Sequence, residues 1–161
     1  TKQVIRQLNE IFRNRIIEKR YIAITHNSPP AFEGEIVVSM SRAHEYDSGT
    51  KMRVGEDGQL TKSRYRILER HGNCSRLEVY LETGKTHQIR VHLSHIGAPI
   101  IGDSRYGNEK LDKTLFSRTN AKHRLYLHAE RISFTHPVKN KKIVLTAPVP
   151  REFDEMMSNL T

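Results

Sequence analysis

The sequence predicts an α+β domain built on a mixed, mostly antiparallel sheet with flanking helices. Three observations predict it. Short runs of period-two alternation follow one another through tight turns. Helical patterns stand at both ends of the chain and once in its middle. The regular strand–helix–strand alternation of a parallel sheet is absent. At 161 residues the chain is long enough for one domain with its own core.

Residues 3 to 17 read as a helix. Val4, Ile5, Leu8, Ile11, Phe12 and Ile16 form one apolar stripe, expected to pack on the core. Residues 18 to 25 switch to a strand, with Tyr21, Ala23 and Thr25 on one face and Ile22 and Ile24 on the other. Tyr21 fits two readings. The pattern favours a core tyrosine; the other is an aromatic platform at a cleft edge, where a base can stack. Asn27 to Pro30 is a loop, and Gly34 to Met40 a short strand. Residues 42 to 57 are polar and hold an irregular excursion or a small hairpin. Ser63 to Glu69 and Cys74 to Glu82 are strands joined by a turn at His71, Gly72 and Asn73, which makes them a hairpin. Cys74, beside that turn, reads as structural.

The chain is organised around Glu82 to Gly107. Thr83 and Gly84 end the strand, and a helix follows with Ile89, Leu93 and Ile96 at i, i+4 and i+7. Thr86 is the expected N-cap, Gly97 the closing residue, and Pro99 stands where no helix can continue. His87, Gln88, Arg90, His92 and His95 load this short helix with donors, as expected of a cleft wall that meets something anionic and planar. Ile100 to Gly107 is a compact turn. Glu109 to Phe116 forms one or two helical turns, Leu125 to Phe134 and Lys141 to Thr146 are strands, and Arg151 to Met157 is a terminal helix.

Composition narrows the partner. Lys and Arg exceed Asp and Glu by a formal charge of +9, with a pI near 9.8, which points to a polyanion. The single cysteine cannot form an internal disulfide, so a reducing compartment, the cytoplasm, is expected. No window reaches the apolar length of a membrane span.

Three common chemistries fit poorly. His87, His92 and His95 are spaced by five and three rather than as a compact i, i+4 ligand pair, so no metal is expected. Thr83-Gly84-Lys85-Thr86 matches only the end of a phosphate loop, because its first glycine would fall at Val79. Helix-start amides beside Lys85 still make a good phosphate contact. Ser94, Ser104 and Cys74 have no nucleophile elbow around them; Asp103 fits pairing with Arg105 or another cation, but reads rather as a turn carboxylate bonded to local amides.

The stretch T-G-K-T-H-Q-I-R-V-H-L, followed by H-I-G-A-P-I-I-G-D-S-R-Y-G, resembles the signature segment of the RluA-type RNA pseudouridine synthases. E-K-R-Y-I-A-I is similar to that family's second motif, and R-L-Y-L-H-A-E-R-I-S-F-T-H-P with L-T-A-P-V-P to its C-terminal strand segment. N-E-K-L-D-K-T-L-F with N-A-K-H-R-L-Y-L-H-A looks closest to the RluC branch. The resemblance implies a mixed sheet with a deep basic cleft. It implies isomerisation of uridine to pseudouridine without metal or organic cofactor, and as partner an RNA, large-subunit ribosomal RNA of the 23S type. A monomer is expected. Carried over, Tyr21 packs against the flipped base, Arg90 pairs with the catalytic aspartate, and Ile89 and Leu127 line the base pocket. Lys85, His87, Arg105 and Arg124 become candidates for RNA phosphates.

One part of the pattern is missing. The family's nucleophile is an aspartate in a His-Arg-Leu-Asp segment followed by Thr-Ser-Gly, and this sequence does not contain it. None of Asp47, Asp57, Asp103, Asp112 or Asp154 has that context. The resemblance thus implies residues 1–161 to be the C-terminal part of a catalytic domain, inactive alone. The alternative is an RNA-binding module that keeps the basic cleft and does no chemistry.

Overall fold

The computed structural model describes residues 2–13, 17–43 and 51–160, without the side chains of Phe12 and Arg13. A seven-stranded antiparallel sheet dominates, with β1 (Ile17–His26), β2 (Glu33–Arg42), β3 (Met52–Val54), β4 (Gln59–His71), β5 (Cys74–Leu81), β6 (Leu127–Thr135) and β7 (Lys142–Thr146) in the order β3-β2-β4-β5-β1-β6-β7. Four helices flank it: α1 (Lys2–Arg13), α2 (Gln88–His95), α3 (Glu109–Arg118) and α4 (Arg151–Ser158). Among the described residues no helix is long and apolar enough to cross a membrane.

Alternation sorts the sheet into two faces. On β4, Thr61, Ser63, Tyr65 and Ile67 are buried while Arg64 and Arg66 are exposed. Leu68 continues the outward-facing set and is exposed, and the register slips there, between Ile67 and Glu69. The β4–β5 hairpin closes at Gly72, whose φ of 54° suits glycine. β3 pairs with β2 through Met40 and Val54, so the polar stretch does contain a small hairpin; residues 44–50 of it lie outside the described residues.

α2 covers the face that carries Thr61 and Ser63, and those two small polar residues bond its His92 and Gln88. α4 covers the opposite face. Phe153, Met156 and Met157 are buried with Ile22 and Ile24, and Asp154 bonds Arg76, the register partner of Ile24. The terminal helix forms as expected, and Phe153 and Met157, at i and i+4, are both buried.

α1 departs from expectation. The helix forms, yet the described side chains of its stripe are not taken into the core: Val4, Leu8 and Ile11 are half-buried and Ile5 is 60% exposed. Among the described residues the sheet core closes through α2 and α4 without it. The chain is already a strand at Ile17, and Ile16 lies outside the described residues.

A candidate nucleotide cleft beside Arg90

Sequence-distant segments meet at the end of α2. The chain after this helix folds back beside β1. Ile101 donates its amide to the Ile24 carbonyl, and His26 donates to that of Pro99. Gly97 closes the helix at φ 79°, as its position implies. Gly102 turns the chain at φ 74°, so close to the Arg124 carbonyl that an added Cβ would fall 1.8 Å from that oxygen. This turn sets Asp103 beneath Arg90.

Arg90 grips Asp103 with two parallel bonds, Nε to Oδ2 at 2.8 Å and Nη2 to Oδ1 at 2.7 Å. The amides of Arg105 and Tyr106 both donate to Asp103 Oδ1 at 3.0 Å. Asp103 is thus a turn carboxylate on local amides, as expected, and a guanidinium partner as well. Burial pushes its carboxyl up, but Arg90 and the two amides outweigh that and hold it below the usual carboxylate range. The Asp103 bond in turn holds Arg90 more firmly protonated. The Arg90 guanidinium lies over the Tyr106 ring, 4.9 Å from its centroid.

The start of α2 is built differently from the Thr86 cap expected. The capping position belongs to His87, at a left-handed φ of 58° and with no side-chain cap bond. Gln88 does the work instead. Its Oε1 accepts from Thr83 Oγ1 at 2.8 Å and from the Lys85 amide at 3.1 Å. Its Nε2 donates to the Lys62 carbonyl and to Ser63 Oγ, each at 3.0 Å. The Lys85 amide is therefore engaged within the chain rather than offered to a phosphate. The Lys85–Gln88 spacing, half of a capping box, was the sequence signal for this latch.

The donor-rich helix does not present all its donors together. His92 is fully buried, and its Nε2 meets Thr61 Oγ1 at 2.7 Å. Burial, helped by the charge of His95, pushes its pKa down to about 4. His95 is exposed at the helix end. His87, Gln88 and Arg90 remain on the cleft side.

That cleft measures about 210 Å³ and is lined by Tyr21, Leu81, Lys85, His87, Gln88, Ile89, Arg90 and Leu127. Six of these are candidate site residues in the sequence and Gln88 is one of the donors expected on the cleft wall; Leu81 was not named for the site. Tyr21 is half-buried against the core while its ring borders the cleft, so both readings of it meet in one position. Burial raises its hydroxyl pKa. Among the described residues lining the cleft there is no carboxylate. Arg105 stands in the Asp103 turn, near enough to His87 for its charge to disfavour a second one there. Arg124 lies elsewhere. Its guanidinium sits 5.5 Å from the Phe153 ring centroid and 3.7 Å from Glu152 on α4.

The family described as RNA pseudouridylate synthase matches residues 1–95, which include β1, the β4–β5 hairpin and all of α2. The chain belongs to this family. It is 32% identical over 159 residues to the ribosomal large subunit pseudouridine synthase C of Buchnera aphidicola subsp. Baizongia pistaciae, a match covering 99% of this chain and 50% of the relative. It is 44% identical over 115 residues to the ribosomal large subunit pseudouridine synthase D of Xanthomonas campestris pv. campestris, covering 68% of this chain and 35% of the relative. Among solved structures, human RNA pseudouridylate synthase domain containing 4 superposes with a TM-score of 0.77 at 26% identity, over 99% of this chain and 68% of that one. The fold expected from the sequence is that of this family. The chain spans about half the length of the curated relatives it matches.

Proposed function

We propose that the full-length protein is an RNA pseudouridine synthase acting on large-subunit ribosomal RNA, and that residues 1–161 are the C-terminal part of its catalytic domain. One observation carries the reading. A cleft of nucleobase size brings together an aromatic ring, apolar walls and a fixed guanidinium, but no carboxylate among its described lining. The names of the relatives support ribosomal RNA as substrate.

The target uridine leaves its stack to reach this cleft. The uracil lies against Tyr21, between Ile89, Leu127 and Leu81. The N1–C1′ bond breaks, the uracil turns, and C5 bonds to C1′; C5 loses its proton and N1 gains one. The reaction is an isomerisation, balanced without an electron carrier, and no metal or organic cofactor enters. Arg90 gives Nε and one Nη2 hydrogen to Asp103. Its remaining donors are available to a second carboxylate. Asp103 itself is a poor nucleophile, because both oxygens are bonded and its side chain is 1% exposed. Because the His-Arg-Leu-Asp segment that carries the family's nucleophile is not in this sequence, the nucleophilic aspartate is assigned to a segment outside these residues, and the 161 residues alone are inactive. Lys85, His87 and Arg105 stand on the Arg90 side of the cleft and are the proposed RNA contacts. The protein acts as a monomer in the cytoplasm.

Pseudouridine mapping of large-subunit ribosomal RNA from cells lacking the protein tests this. Loss of one or a few specific pseudouridines is expected; an unchanged map contradicts the substrate assignment.

A further inference from the structure

We infer that His87 is a neutral hydrogen-bond donor that reads an acceptor oxygen of the bound uridine nucleotide, and that Tyr106 is the positioning residue fixing its tautomer. The nucleotide's identity rests on the pseudouridine synthase reading; the tautomer does not.

The Met52 amide on β3 donates to Tyr106 Oη at 2.9 Å. Tyr106 Oη also lies 2.9 Å from His87 Nδ1. A phenol has one hydrogen, and with a donor already arriving from Met52 the arrangement that uses every hydrogen sends it to Nδ1. His87 Nδ1 is then the acceptor, and the ring proton of neutral His87 sits on Nε2. That nitrogen has no partner among the described residues and is not shut off from solvent. The ring it belongs to lines the cleft.

Electrostatics agree. Burial first, then the charges of Arg90 and Arg105, push the His87 pKa down, and Asp103 opposes them only in part. Between two cations the imidazole stays neutral, and it offers a directed N–H rather than a charge. Tyr106 thereby serves two neighbours. Its ring face supports Arg90, and its hydroxyl orients His87, with the two rings in edge contact at 5.5 Å. The acceptor is a uracil carbonyl or a phosphate oxygen, both of which take an N–H donor.

Nitrogen-15 NMR of the full-length protein reads the tautomer without any substrate. The Nε2–H form is expected in the wild type, and Tyr106→Phe, which keeps the ring and removes only the hydroxyl, shifts the ring toward a mixture of tautomers. Wild-type His87 in the Nδ1–H form overturns the inference. On large-subunit ribosomal RNA, His87→Leu lowers kcat/KM about tenfold, the loss of one neutral hydrogen bond. His87→Gln places an amide N–H near the Nε2 position and restores activity to within about threefold. Leu and Gln meet the same left-handed backbone as His87, and thermal melting checks that both fold. Wild-type kcat/KM in a folded His87→Leu protein overturns the donor role. Titration with uridine and, separately, inorganic phosphate tells the source: a His87 shift with uridine marks a carbonyl, and one with phosphate a phosphate oxygen. A wild-type protein that makes no pseudouridine sinks the enzymatic reading and leaves the tautomer result standing.

Discussion

Arg90 and Asp103, thirteen residues apart, face each other through a two-point fork at 2.8 and 2.7 Å. The two amides that Asp103 also accepts fix the carboxylate, and the carboxylate fixes the guanidinium. Arg90 is thus held in place before any ligand arrives, which spares it the cost of ordering a long side chain on binding.

Asp103→Asn breaks this arrangement with little change of shape. Removing one partner of a buried ion pair costs about 3 kcal/mol of stability. Turnover by the full-length protein should fall as well, because Arg90 is released. The folded-state pKa of Asp103 is depressed, so its stabilisation is present above the ordinary carboxylate pKa and is lost as pH falls through the lower folded value. Denaturant titrations across the acid range check both points: the variant should be weaker at neutral pH and lose less stability on acidification.

His92 predicts a second pH dependence. Thr61 donates to the Val38 carbonyl, so its oxygen accepts from His92 Nε2, and His92 Nδ1 is left buried without a partner among the described residues. With its pKa lowered from 6.5 to about 4, the unfolded chain takes up the proton first. Stability should therefore decline as pH falls from 6.5 toward 4, by on the order of 2–3 kcal/mol. Denaturation at stepped pH measures this, and His92→Leu should flatten that window.

Gly102→Ala should be among the most disruptive small changes. The added Cβ would meet the Arg124 carbonyl and the Leu125 amide nitrogen in a left-handed turn, backbone atoms that cannot swing aside as a side chain can. The Asp103 turn must move, and Arg90 loses its anchor. A lower melting temperature together with lost activity is expected; wild-type values for both would contradict this account of the turn.

Lys85 and Arg124 should separate binding from packing. Lys85 borders the cleft, while Arg124 is engaged with Phe153 and Glu152. Lys85→Ala should weaken RNA binding and reduce its salt dependence by about one phosphate contact. Arg124→Ala should lower the melting temperature and leave RNA affinity near wild type. Affinity measured at several salt concentrations, beside thermal melts, decides between the two roles.

Much of this was legible in the sequence because it is local. The β4–β5 hairpin is written in alternation and in Gly72, and the end of α2 in Gly97. The gathering of Tyr21, Ile89, Arg90 and Leu127 followed from resemblance, since no periodicity relates β1 to β6. His92 was missed for a physical reason. Helical periodicity finds one apolar stripe, but α2 buries Gln88, Ile89, Val91, His92 and Leu93, more than one face of the helix. A histidine there meets Thr61 of the sheet rather than a ligand. The Arg90–Asp103 fork and the Arg124 position depend on how the Gly102 turn folds back onto β1, a long-range closure with no local signature. The stripe of α1 was clear, but periodicity cannot tell whether a partner covers it.

We propose that these residues supply the base cleft and Arg90 of a synthase whose nucleophile lies elsewhere in the protein. Release of tritium from C5-labelled uridine in large-subunit ribosomal RNA tests it directly. The full-length protein should release tritium, its Arg90→Ala variant should release none while RNA affinity falls only modestly, and residues 1–161 alone should release none. Turnover by residues 1–161 alone, or a full-length protein that binds this RNA and never releases tritium, would contradict the claim.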